Sequence, residues 1–255
     1  MKTNTIGILI LATNSYFPLG LRLVNRFNHF YSGTARIVYY FVSNQDPKEY
    51  MPDGVLYKYI RDDHKNWLEG TNSKFKNILF LHDESVDFIF YMDADTSPDK
   101  KFEEGWMLGD SVAAEHFGND SWMKEKKNYD RNPRSKAYVP FDTNIPQTYY
   151  QGAFFGGKKN TMMNVCSVLR DWQSEDKKIS YEPVWNDESY INAYFHYNHP
   201  TLTILHKDFQ FGVSNGGGID EKRDPNLNLK HLLDGAKKYK NELWNIVNNQ
   251  VVQGK

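Results

Sequence analysis

The segment TIGILILA, Thr5 to Ala12, is apolar without alternation. A strand with one wet face alternates, so a continuous run of this kind predicts a strand covered on both faces. Covering both faces takes a layer on each side of a sheet, and that requirement selects an α/β architecture. The next segments agree. Pro18 suits the first turn of a helix, and Leu19, Leu21, Leu23, Val24 and Phe27 follow on or near one face. RIVYYFVS, Arg36 to Ser43, is a β-branched and aromatic run that stops at the turn signal Asn44-Gln45-Asp46-Pro47. Val55–Ile60 reads as a shorter strand. Phe75, Ile78, Leu79 and Phe80 have helical spacing within Ser73–His82, and VDFIFYM, Val86 to Met92, is the next strand.

The resulting order, β-α-β-β-α-β, ends on Asp93-Ala94-Asp95. Open, mostly parallel sheets bind ligands where the carboxyl ends of their strands converge. The place of this acidic pair therefore says more than its composition. The second half is less regular. Met123–Pro133 is polar and reads as a surface loop or short helix, whereas TYYQGAFFGG, Thr148 to Gly157, is strand-like and ends in two glycines. Helices are expected over about Lys158–Asp171 and Asp187–Tyr197, the second with Asn186 as its N-cap. A strand follows over Thr201–His206, then a flexible run, Gly212–Asp220, and an amphipathic helix over Lys230–Val247. No repeat or linker separates domains, so one domain over residues 1–255 is expected.

Composition narrows the function. A chain of 255 residues and 29.9 kDa can bury a sizeable core without disulfides. Lys and Arg number 31 against 32 for Asp and Glu, a net charge of −1, so no bulk field collects nucleic acid or anionic lipid. The single cysteine, Cys166, excludes an intramolecular disulfide framework and a cysteine-built zinc site. The apolar run Ile6–Ala12 is far shorter than the roughly 20 residues of a membrane span and lacks the flanks of a signal peptide. A soluble, cytoplasmic protein is expected.

Asp93-Ala94-Asp95 is a D-x-D element. A turn after a strand lets two carboxylates reach one divalent ion, and hard oxygen ligands favour Mn²⁺ or Mg²⁺ over zinc or copper. Such an ion keeps open positions for a substrate diphosphate. Two acidic residues in a loop are also commonly just solvated. The buried strand VDFIFYM before them raises the metal reading.

Further segments occur in an order that resembles glycosyltransferase family 6, the family of the histo-blood group A and B transferases and the α1,3-galactosyltransferase. They are LATNSY (Leu11–Tyr16), the D-x-D element, YDRNPRSKAYVP (Tyr129–Pro140), YYQGAFFGG (Tyr149–Gly157) and VWNDES (Val184–Ser189). The resemblance implies a GT-A-type fold, a Rossmann-like nucleotide-binding half to about residue 110 fused to an acceptor half over about 111–211, around a mixed, mostly parallel sheet. It implies transfer of galactose or N-acetylgalactosamine from UDP to a glycan hydroxyl in α1,3 linkage, with retention and with Mn²⁺ or Mg²⁺ as cofactor. Leu11, Thr13 and Tyr16 match positions around the uridine; their structural alternative is the end of a core strand plus an exposed tyrosine. Asp93 and Asp95 match the metal and diphosphate site. Lys74, Gln151, Gly152, Ala153 and Asp187 match positions around the donor sugar. Glu188 matches the carboxylate at the reaction centre, and His116, Trp185 and Glu188 match acceptor contacts.

Departures accompany the match. Asn186 stands where the family commonly has His, and Lys74 where it has Arg, which keeps the charge but loses the planar fork. Gln151 is not a common family choice, so the donor sugar is not read from this stretch. Two alternatives stay open: another GT-A family in which His206 completes the metal site, and a carbohydrate-binding protein without catalysis. In relatives a basic tail closes over the diphosphate, and the resemblance offers Lys222, Arg223 and Lys230 as candidates for it.

Overall fold

Strand β1 occupies Thr5–Leu11, and its five central residues are buried, as an unalternating run requires. The computed structural model describes residues 3–64, 66–96, 98, 101–116, 129–141, 148–198 and 202–205. Within them the chain is α/β, with seven strands and four α-helices. The described residues gather in two compact units, one of residues 3–64 and 92–104, the other of residues 66–91 and 105–205.

In the first unit, β1 pairs in parallel with β2 (Arg36–Ser43), and β2 pairs in parallel with β3 (Tyr57–Arg61). The connection between β1 and β2 is helix α1, Phe17–Phe30, with Pro18 in its first turn. Its buried stripe includes Leu21, Val24 and Phe27, and the Phe27 ring meets Tyr39 of β2 edge-on at 6.0 Å. A Cβ on Gly20 would lie 2.5 Å from Ala12 Cβ, so only glycine lets α1 pass this close to the end of β1. Strand β3 is half-exposed and carries Lys58 and Arg61, charges that blunt an outer strand.

The second unit holds α2 (Trp67–Leu79), most of β4 (Phe88–Asp93), β5 (Ser111–Glu115), β6 (Tyr150–Lys158), α3 (Lys159–Lys178), α4 (Asn186–Tyr197) and β7 (Leu202–Leu205). Its strands run in the order β4-β6-β5-β7. Strand β5 is antiparallel to β6 and parallel to β7. Together with the parallel pairs of the first unit, the strands are mixed and mostly parallel. Aromatic rings fill the core: Phe155 of β6 stacks on Tyr91 at 5.5 Å and meets Phe75 of α2, while Phe154 stacks on Phe90 at 5.6 Å.

Three departures from the pattern-based reading have a clear physical reason. Helix α2 starts at Trp67 rather than Ser73, because Asn66 caps it: its side-chain oxygen accepts the Glu69 amide at 3.0 Å, and Glu69 accepts from Asn66 in return. Helix α3 continues two turns past Asp171. Those turns are polar, and the Lys178–Glu175 pair at 2.8 Å stabilises their exposed face. Strand β5 was unexpected, because Val112-Ala113-Ala114 lacks the β-branched and aromatic bulk that marks a strand.

No helix among the described residues is long and apolar enough to cross a membrane. His206, the run Gly212–Asp220, Lys222, Arg223 and the helix expected over Lys230–Val247 lie outside the described residues, as does the Met123–Asn128 part of the expected surface loop.

Gly156 offers a check on the packing of β6 against β4. A Cβ there would land on the Phe90 ring and lie 2.6 Å from the Ile89 carbonyl oxygen, which is backbone and cannot swing away. Gly156→Ala is therefore expected to destabilise the chain by about 1–3 kcal/mol, the usual cost of overpacking a tight core. Urea unfolding measures this, and an unchanged midpoint would contradict the close approach.

Candidate functional site

In the second unit, three elements bring charged groups together. Lys74 comes from the middle of α2, Gln151-Gly152-Ala153 from β6, and Asp187 and Glu188 from the first turn of α4. Lys74 Nζ lies 2.9 Å from Asp187 Oδ2, and both side chains are at most 7% exposed. The ammonium also donates to the Gly152 carbonyl at 3.4 Å and sits 4.7 Å above the centre of the Tyr91 ring. A charge buried this far needs such partners, since removing one strands the other.

Gly152 is the hinge of this cluster. Its amide donates to Glu188 Oε2 at 2.6 Å. A Cβ on Gly152 would lie 3.1 Å from Glu188 Cβ and 3.3 Å from Asp187 Oδ2, tighter than most real contacts. The absent side chain is thus what lets strand backbone and carboxylate meet. Helix α4 is fastened to the same strand by Asn192, whose side chain accepts the Tyr150 amide at 2.7 Å and donates to the Tyr150 and Glu188 carbonyls at 2.8 Å.

Glu188 is half-buried by surface area, yet protein atoms surround its carboxylate. That desolvation, reinforced by the neighbouring Asp187 charge, pushes it up to about 7 against the opposing pull of the Gly152 amide, the Tyr149 hydroxyl and Lys74. Burial also raises the Tyr149 phenol, with Glu188 next to it adding to the effect. His116 is buried and meets the Tyr149 ring edge-on at 5.9 Å; burial lowers its imidazole to about 4, so it is neutral near pH 7. Gln151 is buried and donates to the Glu115 carbonyl at 3.1 Å, while Ala153 is partly exposed.

The start of α4 corrects one expectation. Asn186 is not the N-cap; Trp185 holds that position, without a side-chain cap, and its own amide donates to Ser189 Oγ at 3.0 Å. Asn186 instead takes φ +45, a left-handed conformation that asparagine tolerates better than most residues. Trp185 is 42% exposed, so it is not a buried core indole.

The remaining sequence-predicted residues lie at strand ends of the first unit. Leu11 closes β1. Thr13 follows it, buried, with Oγ1 2.6 Å from His64 Nε2; Tyr16 ends the next turn and is partly exposed. Asn14, at φ +53, is held by Asn44 after β2 through two hydrogen bonds of 2.9 and 3.0 Å. Asp93 is the last residue of β4, and both the amide and the hydroxyl of Thr96 return to its carbonyl, at 3.0 and 2.7 Å. Asp93 and Asp95 are therefore partly exposed carboxylates on one closed turn. Beneath it the buried Arg22 of α1 donates to the Asp95 carbonyl at 3.4 Å, and Arg26, one turn on, to the Pro98 carbonyl at 2.8 Å. Oxygen donors alone, on a short turn at a strand end, fit a hard divalent cation that keeps other ligand positions open.

Pattern reading missed several of these residues. Tyr149 opens a matched segment but was given no role there, and a buried asparagine in mid-helix such as Asn192 reads as surface until its strand partner is known. His64, Asn44 and Arg22 act through tertiary contacts that no local spacing announces.

A model of glycosyltransferase family 6 matches residues 1–214. Histo-blood group ABO system transferase 2 of Rattus norvegicus is 28% identical over 217 residues, covering 80% of this chain and 63% of the relative. Globoside alpha-1,3-N-acetylgalactosaminyltransferase 1 of Gallus gallus is 29% identical over 218 residues, covering 78% and 60%. The O-antigen biosynthesis glycosyltransferase WbnI of Escherichia coli is 23% identical over 166 residues, covering 64% and 70%. The chain thus spans about three fifths of the length of the first two relatives.

The raised pKa of Glu188 makes stability depend on pH. The group binds its proton more tightly folded, at about 7, than unfolded, at the ordinary 4.5. Its contribution is therefore full below about pH 4.5 and is lost as pH rises through about 7. Glu188→Gln cannot ionise and removes that component. Urea midpoints of both proteins between pH 4.5 and 8 should diverge, the wild type losing ground relative to the variant as pH rises; parallel curves would show an unshifted carboxyl.

Proposed function

Because the chain belongs to glycosyltransferase family 6, we propose that it moves galactose or N-acetylgalactosamine from a UDP-sugar to a glycan hydroxyl, in α1,3 linkage and with retention. Its α/β fold is the GT-A type of that family. The observation that carries the reading is Glu188, a carboxylate held by the Gly152 amide at 2.6 Å, next to the buried Asp187–Lys74 pair.

Asp93 and Asp95 hold Mn²⁺ or Mg²⁺ and, with it, the diphosphate of the donor. When bound, such an ion offsets negative charge on a departing diphosphate. Leu11, Thr13 and Tyr16 flank the uridine. The closed turn after β4 and the ties among Thr13, His64, Asn14 and Asn44 support this assignment, because they fix strand-end backbone where open α/β sheets take nucleotides. Asp187 binds sugar hydroxyls, with Lys74 holding its carboxylate and contributing positive charge. Gln151, Gly152 and Ala153 shape the space for the sugar.

Above its shifted midpoint Glu188 is ionised, and its carboxylate is then suited to stabilising positive charge at an anomeric carbon or to attacking it. Gly152 fixes Oε2 by one short bond, so the group does not have to find its orientation during the reaction. Neutral His116 and exposed Trp185 are acceptor contacts: an imidazole that exchanges one hydrogen bond and an indole face on which a sugar ring stacks. Similarity to proteins named as ABO and globoside α1,3-N-acetylgalactosaminyl transferases supports the linkage and the donor class. The lone cysteine, Cys166, buried in α3, fits a cytoplasmic setting.

The test is release of UDP from UDP-galactose and UDP-N-acetylgalactosamine, with and without Mn²⁺. Turnover is expected only with the ion. Glu188→Gln should lower kcat by about 10²-fold or more while leaving UDP affinity by calorimetry unchanged. Asp93→Asn should instead weaken Mn²⁺-dependent UDP binding. Turnover indifferent to both the metal and Glu188→Gln would overturn the assignment.

A further inference from the structure

Residues Tyr129–Pro140 are the most distinctive stretch of the sequence, yet they supply none of the groups assigned above. Two of their polar side chains, Asp130 and Ser135, are buried instead. Asp130 is 1% exposed, and its carboxylate accepts three hydrogen bonds: from the Asn132 amide at 2.9 Å, the Tyr181 hydroxyl at 2.8 Å and the Val184 amide at 3.2 Å. Its backbone is fixed as well, since the Val139 amide donates to the Asp130 carbonyl at 2.9 Å and Arg131 donates to the Val139 and Pro140 carbonyls. A second buried carboxylate, Asp176 near the end of α3, holds the same loop through the Ser135 hydroxyl at 2.7 Å and the Lys136 amide at 2.8 Å. It also accepts the Tyr190 hydroxyl of α4 at 3.1 Å.

The two ends of this arrangement differ in what they touch. Asp176 binds the loop to the bodies of α3 and α4. Asp130 binds the short connection between those helices, and one of its partners, the Val184 amide, is only three residues before Asp187. The following amide, Trp185, is taken by Ser189, and Asn186 then turns left-handed into the helix. Every backbone donor from Val184 to Asn186 is thus committed, the last to the Pro183 carbonyl at 3.1 Å. Such a connection has one conformation, and it sets the direction in which α4 begins.

We propose that Asp130 is a positioning residue. By holding Tyr181 and Val184 it fixes the start of α4, and so fixes where Asp187 and Glu188 stand against Gly152 and Lys74. The proposal rests on the glycosyl-transfer reading for its kinetic consequence, but not for its geometric one. Misplacing a reacting group by about 1 Å costs on the order of a hundredfold in rate, which sets the scale expected here.

Three variants separate positioning from plain structural support. Asp130→Ala removes all three bonds, Tyr181→Phe removes one, and Asp130→Asn keeps an oxygen that accepts from Tyr181 and Val184. Asp130→Ala is expected to lower kcat by about tenfold to a hundredfold, with donor KM and UDP affinity little changed. Tyr181→Phe should give a smaller loss in kcat, and Asp130→Asn should restore most of the rate. Should Asp130→Ala fail to fold, the other two variants decide between the outcomes. Carboxyl ¹³C NMR of Glu188, whose surroundings are Asp187, Lys74, Tyr149 and the Gly152 amide, reads the geometry without any substrate. Its midpoint should fall towards the ordinary carboxylate range in Asp130→Ala or Tyr181→Phe and stay in place in Asp130→Asn. A wild-type chain that turns over no UDP-sugar would defeat the functional reading, while the NMR midpoint would still judge Asp130. A Glu188 midpoint and kcat that stay at wild-type values in both Asp130→Ala and Tyr181→Phe would overturn the proposal. So would losses that follow thermal stability alone, with Asp130→Asn no better than Asp130→Ala.

Discussion

An ammonium and a carboxylate lie 2.9 Å apart in the second unit with almost no water around either, and neither is tolerable there without the other. The Lys74–Asp187 pair ties the middle of α2 to the first turn of α4, and its third participant, the Gly152 carbonyl, belongs to β6. Three elements distant in sequence are thereby required to meet at one point. The approach is feasible because Gly152 has no side chain, and Glu188 inherits its position from it. Remove the pair and α4 loses its electrostatic reason to start beside β6. The bonds that remain are hydrogen bonds: Gly152 to Glu188 and Asp130 to Val184 at the start of the helix, and Asn192 to Tyr150 about one turn further on.

The first unit solves a different problem with neutral groups. The ends of β1 and β2 are joined by side-chain bonds rather than charges: Ser43 donates to the Ala12 carbonyl at 2.6 Å, and Asn14 and Asn44 bond to each other. Charges stand beside these neutral ties, on the turn after β4 and at the end of β3, where Arg61 pairs with Asp63 at 2.8 Å. The arginines of α1 reach the turn after β4 through its carbonyl oxygens at Asp95 and Pro98, and so restrain its backbone.

Much of this could be read before the coordinates. TIGILILA, RIVYYFVS and VDFIFYM announce buried strands because burial on both faces erases polar alternation, and each became a strand within two residues of its expected limits. The matched segments also pointed to Gly152, Asp187 and Glu188, and the family resemblance to Lys74, and these four do converge. What could not be read was anything that depends on a distant partner. Strand β5 is built from small residues whose strand state is set by its neighbours β6 and β7. The helix expected to about Asp171 runs on to Lys178, because its last turns are polar and show no apolar periodicity. Asn186 looked like a cap by residue type, whereas its left-handed φ follows from the bonds on either side of it.

The lysine at position 74 shows how a departure from a family pattern can be absorbed locally. A guanidinium grips two oxygens in one plane, whereas an ammonium offers three N–H directions from a single point. Here those directions meet the Asp187 carboxylate, the Gly152 carbonyl and the face of the Tyr91 ring. Tyr91 is itself stacked on Phe155 within the aromatic core, so the ring cannot withdraw from the charge. A point charge held this way stabilises Asp187 as an anion, and Asp187 in turn resists the ionisation of Glu188 beside it. The shorter, rounder cation therefore keeps an electrostatic link from α2 to Glu188 without a planar fork.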